Sequence, residues 1–424
     1  MVRCLNYENS IKNFEVDQVA IKKTVLILTG IFPPQFAPRM GYLSKYLGDN
    51  GWKGIAISHA TTHAENTFDF LAGYIPCKKI YVSGKKSLIE KILSRFFSDA
   101  TVSWELNKKM KDHITEIFSK EQIDIILCST TRSLFPLNIA YKTAKSYGIP
   151  WIADLRDIYE QNPIKGSLQR TIKEKIGTLI RNYILRNANA ITTVSKTHVK
   201  ILNRYGLKAY CIYNGADRDM FIASKYHNLD KFRIVYTGTF ARRKSGRDIS
   251  PLFSALQQLH DNNDIDFNNC RIQFYSDAKS QKIAHDLKNS FCVPDCVDCF
   301  DLVPATEVPN VLYESSILLL LLGKGSAGVM TTKFFEYLAA GRPILCIWSD
   351  RGEVEEIINN SCAGVAAKTE NDIKAFVKLK YEEWLKTGYT NADTDQNYAG
   401  EFSREHNAKQ FVEVFENVLK HGDS

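Results

Sequence analysis

The stretch TTKFFEYLAAGRPIL, residues 331–345, joins two periodicities across one glycine. Up to Ala340 the apolar residues Phe334, Phe335, Leu338 and Ala339 fall at helical spacing, and from Pro343 the chain is a continuous apolar run of strand length. Gly341 suits a helix end, because glycine adopts the left-handed backbone that a C-terminal cap needs. Glu336 is the single carboxylate of this helix. A helix that leads directly into a buried strand is half of a crossover unit, the repeating element of parallel sheets.

That unit recurs from end to end. Apolar runs at 24–30, 54–58, 123–129, 150–155 and 190–195 alternate with helical patterns, and the alternation restarts after residues 210–221, YCIYNGADRDMF, with runs at 233–240, 271–276, 296–303, 317–322 and 343–348. The chain has 424 residues, whereas single cores stop growing at about 250 to 300. The pattern predicts an α/β protein of two doubly wound parallel-sheet domains facing a cleft, one over residues 1–213 and one over 214–400. A last helix within 401–424, with Ala408, Phe411, Val412, Phe415, Val418 and Leu419 on one face, is free to pack on either domain. Such sheets bind ligands beyond the carboxyl ends of their strands. Neither domain carries G-x-G-x-x-G or G-x-x-x-x-G-K-[ST] after its first strand, which argues against dinucleotide and P-loop chemistry.

The composition, 44% hydrophobic and 24% charged, is that of a globular protein. Residues 1–23 lack the apolar core of a signal peptide. The longest apolar run, ILLLLLG at 317–323, falls far short of the roughly 20 residues that span a bilayer. A soluble, cytoplasmic chain is expected. Cys128, Cys211 and Cys346 lie in strand-like runs and read as reduced, buried thiols. Cys292, Cys296 and Cys299, with Cys270 and His285 upstream, lack the paired C-x2-C spacing of a zinc site, so no metal is expected there.

The helix of Glu336 suggests chemistry. If a hydroxyl of Thr331 or Thr332 caps it, the free amides of its first turn suit a phosphate, and Lys333 adds a full positive charge beside them. Glu336, one turn further in, is placed to accept hydrogen bonds from a pair of sugar hydroxyls. A lone helical Glu ordinarily faces water. Here the helix is apolar on most sides, and the Gly-rich GKGSAGVMTT before it permits close approach of a ligand.

KFFEYLAAGRPIL resembles the donor-site motif of the retaining glycosyltransferases of family 4, which have the GT-B fold of two Rossmann-like domains facing a cleft. Other stretches are similar to that family in its own order: ILTGIFPPQFAPRMGYLSKYLGDNG, GIPWIADLRDIY, NANAITTVSKTHVKIL, IYNGADRDMF and IVYTGTFARRKSGRDISPLFSAL. The resemblance implies transfer of a sugar from a UDP- or GDP-sugar to a saccharide or lipid-linked acceptor, as in the synthesis of bacterial O-antigen, capsule or exopolysaccharide. The nucleotide sugar is then the substrate, with no cofactor and no divalent metal. Glu336 would bind the ribose, and Gly238, Thr239, Thr331, Thr332 and Lys333 would hold the diphosphate. Lys244 and Arg247, with Arg242 and Arg243 beside them, would stabilise the leaving group; a solvated basic loop is the other reading of that run.

The chain departs from the family in two places. Gly328 stands where many members carry the first acid of an E-x7-E pattern, and PPQFAPRMG replaces a Gly-Gly pair after the first strand. Arg39 and Gly41 in that loop are expected at the phosphate. Asp154 and Asp157 of ADLRD are candidates to orient the acceptor hydroxyl, or else to pair with Arg156 or cap a helix. A nucleotide-sugar 2-epimerase and a catalytically silent binding or scaffold subunit remain alternatives.

Charge is unevenly spread. Residues 1–213 hold 31 Lys and Arg against 17 Asp and Glu, and residues 214–424 hold 24 against 30. Nucleic acid is a poor explanation, because the basic residues interleave with core-type apolar ones and no recognition motif is present. Two amphipathic basic segments, KKSLIEKILSRFF (85–97) and LQRTIKEKIGTLIRNYILR (168–186), suit contact with an anionic membrane. The second is expected to bury its apolar stripe in the core.

Overall fold

The computed structural model describes residues 23–59, 67–81, 87–93, 103–161, 168–221, 228–240, 247–293, 296–323 and 328–422. The first sheet contains β1 (Lys23–Thr29), β2 (Trp52–His59), β3 (Cys77–Ile80), β4 (Ile125–Thr130), β5 (Trp151–Leu155), β6 (Ala190–Thr193) and β7 (Ala209–Cys211), in the spatial order β3-β2-β1-β4-β5-β6-β7. The second contains β8 (Phe232–Thr237), β9 (Cys270–Tyr275), β10 (Val297–Phe300), β11 (Ile317–Leu321), β12 (Ile344–Ile347) and β13 (Gly364–Ala367), in the order β10-β9-β8-β11-β12-β13. All pairings run parallel. Each strand order reverses once, at β1/β4 and at β8/β11, which fixes the two places where ligand crevices open.

The central strands are continuous apolar runs because both of their faces are covered. In β11, Ile317, Leu319 and Leu321 join one buried cluster while Leu318 and Leu320 join another, with Phe334, Phe335 and Leu338 of the helix Thr332–Ala340. In β1, Leu26 and Leu28 face one layer and Val25 and Ile27 the other. Each such side chain contributes about 1.5 to 3 kcal/mol through burial.

The last helix, Arg404–Gly422, returns to the first domain. Its Ala408, Phe411, Phe415 and Val418 share a cluster with Val25, Ile27, Leu43 and Trp52, and the Phe415 ring meets Trp52 edge-on at 5.1 Å between centroids. The first domain is therefore completed by a segment that follows the second in sequence.

Candidate functional site

The crevice of the second sheet is built where β8 and β11 diverge. Gly238, directly after β8, has φ +105, and a Cβ there would stand 2.7 Å from Lys333 Nζ. Lys333 itself lies over the Tyr236 ring, with Nζ 3.9 Å from its centroid. The backbone angle favours glycine at this position, and a Cβ would push the Lys333 ammonium aside. Arg247 donates from Nη1 to the Thr239 carbonyl at 3.0 Å, so the Gly238–Thr239 turn carries a cation on either side. Arg242, Arg243 and Lys244 lie outside the described residues.

The helix Thr332–Ala340 starts at this turn and ends, as its sequence predicts, on left-handed Gly341. The expected cap is not formed. Thr331 is extended at the cap position but makes no side-chain cap bond, and its buried hydroxyl has no partner among the described residues. The first-turn amides thus keep their bias toward an anion. The Tyr337 hydroxyl, 3.3 Å from both the amide and the hydroxyl of Thr237, holds the helix to β8.

Glu336 is half-buried on this helix, and among the described residues no donor is placed on its carboxylate. Burial pushes its pKa up, and the charges of Arg404 and Lys333 pull it back. A carboxylate in this situation is costly unless something outside the chain supplies hydrogen bonds.

In the first domain the sequence expectations need correction. Asp154 is fully buried and accepts from Arg39 Nε at 2.9 Å and Nη2 at 2.8 Å, from the Ser129 hydroxyl at 2.8 Å and from the Thr192 hydroxyl at 2.9 Å. Arg39 also donates to the Tyr213 carbonyl at 3.0 Å. A carboxylate so saturated has no lone pair left for an acceptor hydroxyl, and a guanidinium so engaged is not set out for phosphate. The partner of Asp154 is Arg39 rather than Arg156. Asp157 accepts from Gln161 Nε2 at 2.7 Å. Gly41 serves packing, since a Cβ there would stand 2.8 Å from Pro33 and 2.9 Å from Leu71.

The departure at Gly328 has a structural cause. Its φ is +79, and a Cβ would lie 2.7 Å from Thr197 Cβ and 3.2 Å from Ser195 Oγ, both in the first domain. The position has no room for an acid. Beside it, Glu353 reaches from the second domain to the start of the helix Lys196–Asn203, accepting from the Lys196 amide at 2.6 Å, the Thr197 amide at 2.8 Å, the Thr197 hydroxyl at 2.6 Å and the Tyr213 hydroxyl at 2.9 Å. Sequence reasoning missed Glu353, Thr197 and Tyr213. The one local signal is Ser195, which caps the same helix by accepting from the His198 amide.

A D-x-D triplet at Asp217–Asp219 is held by Lys45, whose Nζ lies 2.7 Å from Asp217 and 2.6 Å from Asp219. Cys270 and Cys296 are buried in the second domain's core, while Cys292 is exposed. Among the described residues no three His, Cys, Asp or Glu are grouped to share a metal ion.

Two apolar stripes of the first domain face outward. The helix Leu88–Leu93 leaves Leu88 74% and Ile89 54% exposed, while Glu90 is turned inward. The helix Leu168–Leu185 buries Ile184 and Leu185 but leaves Ile172, Leu179 and Tyr183 exposed, with Lys175 on the same side. Its stripe is only partly a core surface, contrary to expectation. No described helix is long and apolar enough to cross a membrane.

Two Rossmann-like parallel-sheet domains that meet through the loops after their strands define the GT-B architecture. Solved structures share it. The chain superposes on HepE of Anabaena, in complex with UDP-glucose, with a TM-score of 0.64 at 14% identity, over 93% of this chain and 100% of that one. A glycosyltransferase from Rickettsia africae gives 0.63 at 16%, over 94% and 99%. The UDP-GlcNAc 2-epimerase of Methanocaldococcus jannaschii gives 0.54 at 13%, over 93% and 99%. At these identities the likeness establishes the fold. No family model matches the chain, and no curated protein matches it by sequence.

Proposed function

We propose that the chain is a retaining glycosyltransferase that moves a sugar from a UDP- or GDP-sugar to a saccharide or lipid-linked acceptor. The observation that carries this reading is the Glu336 carboxylate, without a donor among the described residues, one turn into an uncapped helix beside Lys333 and the Gly238–Thr239 turn. Two vicinal ribose hydroxyls are donors of the right number and spacing for one carboxylate. A diphosphate suits the helix amides and the two cations.

The chemistry follows from the same groups. As the bond from the anomeric carbon to the diphosphate oxygen breaks, negative charge grows on that oxygen, and Lys333, Arg247 and the amides oppose it where it develops. The departing oxygen then takes the proton of the acceptor hydroxyl as that hydroxyl attacks from the same face, which retains configuration. Arg242, Arg243 and Lys244 belong to this basic loop on the same reading. With Asp154 engaged elsewhere, no side chain of ADLRD is assigned to the acceptor.

We place the acceptor at an anionic membrane surface, as a lipid-diphosphate-linked glycan for bacterial surface polysaccharide. The exposed apolar and basic stripes of the first domain support this.

Calorimetric titration with UDP and with GDP, for the parent protein and for Glu336→Ala, tests the reading. Binding of one nucleotide, weakened in the variant, is expected; binding of neither overturns it. Gly328 favours a second reading, a nucleotide-binding subunit without turnover, because Thr197 closes the position of the missing acid. That reading predicts nucleotide binding with no release of nucleoside diphosphate from any sugar donor.

A further inference from the structure

The seam between the last helix and the helix Pro38–Leu47 contains donors with nothing to bind. Arg404 is 3% exposed, and its Nε and Nη2 have no hydrogen-bond partner among the described residues. Asn407, three residues on and therefore on the same side of the helix, is 5% exposed with both amide atoms unpaired. The two line a small cavity with Arg39, Tyr42 and Phe411, which has room for about one water-sized guest. Asn407 Oδ1 lies against Gly215, where a Cβ would stand 2.7 Å away, so Nδ2 is the group that faces the other way.

A water molecule would satisfy hydrogen bonds here but would add no negative charge to that of Glu336. Arg39 is already neutralised by Asp154 and sits over the Phe411 ring, while Arg404 sits over Tyr42 at 5.0 Å. Burial lowers the Arg404 pKa to about 10; Tyr42 and Glu336 counter this, and the guanidiniums of Arg39 and Arg156 add to it. A buried guanidinium whose Nε and Nη2 lack hydrogen bonds is costly even with the Glu336 charge to oppose it.

We propose that Arg404 and Asn407 hold one small inorganic anion of chloride size, which fastens the last helix to the first domain. The ion is structural, and its test needs neither nucleotide nor turnover. Thermal unfolding is measured in sodium chloride and in sodium gluconate at matched ionic strength. A Tm higher by about 3 °C in ~100 mM chloride is expected, together with an anomalous peak between Arg404 and Asn407 in crystals soaked in bromide. Arg404→Leu abolishes the difference between the salts. Should that variant fail to fold, Asn407→Ala, which keeps the charge, shifts the chloride response to higher concentration. Equal Tm values in the two salts overturn the proposal, as does a cavity peak without anomalous signal in bromide.

Discussion

Thr197 donates both its amide, at 2.8 Å, and its hydroxyl, at 2.6 Å, to the same oxygen of Glu353 across the domain boundary. The other oxygen takes the Lys196 amide and the Tyr213 hydroxyl. The helix Lys196–Asn203 is thus capped twice, by Ser195 from its own domain and by Glu353 from the other. A closed cleft is held by an acid that makes four hydrogen bonds.

Glu353→Ala removes that acceptor from two amides and two hydroxyls at once. The expected loss is about 2 to 3 kcal/mol of stability, read from denaturant unfolding. X-ray scattering should show a larger radius of gyration for this variant; an unchanged radius means that the domains stay together without the acid.

At Gly328 a side chain meets both a left-handed backbone and the Thr197 methyl. Gly328→Ala is expected to cost about 2 kcal/mol. Gly328→Glu, which restores the acid pattern, should lower nucleotide affinity rather than raise it. Tighter binding by Gly328→Glu in calorimetry would contradict the closed geometry.

Glu336 links stability to pH. Burial raises its pKa above that of the unfolded chain, so between the two values the folded state holds the extra proton. Stability therefore falls as pH rises through that window, and the penalty is complete above the folded pKa. Glu336→Gln should raise Tm at neutral pH, remove this dependence, and weaken nucleotide binding by roughly tenfold or more. Thermal scans that start in the ordinary carboxyl range, about pH 4, and run upward past neutrality measure the first two effects.

Asp154→Ala strands the Arg39 guanidinium in the core and should cost about 3 to 5 kcal/mol, whereas the double change Arg39→Met with Asp154→Leu should cost much less. Chemical denaturation of the two variants separates an ion pair kept for structure from a carboxylate kept for catalysis.

Leu179 projects from the basic helix of the first domain and is 71% exposed. Leu179→Glu is expected to reduce sedimentation with anionic vesicles severalfold at low salt without changing Tm. Equal sedimentation of both proteins places the membrane contact elsewhere.

The ten strands read from the sequence are all present; nine of them are central, and buried central strands have to be apolar on both faces. The three that sequence conceals, β3, β7 and β13, are three of the four edge strands, at 4, 3 and 4 residues; the fourth, β10, is legible as an apolar run. An edge strand can be short and polar; β3 is CKKI. Local patterns likewise expose the helix of Glu336, its glycine stop and Lys333. Contacts between distant residues leave no such trace: Arg39 and Asp154 are 115 positions apart and Glu353 and Thr197 are 156. Asp154 sits near the carboxyl end of β5, where a catalytic acid and a buried countercharge look alike until the neighbouring guanidinium is placed.

The return of Arg404–Gly422 to the first domain bears on how the chain comes to be folded during synthesis. Domains ordinarily fold as units in the order in which they are translated. Here one hydrophobic layer of the first sheet, with Val25, Ile27 and Trp52, lacks Phe411 and Phe415 until the whole second domain has been made. While the second domain is being made, the first therefore exposes an apolar face, and in that interval it is open to aggregation.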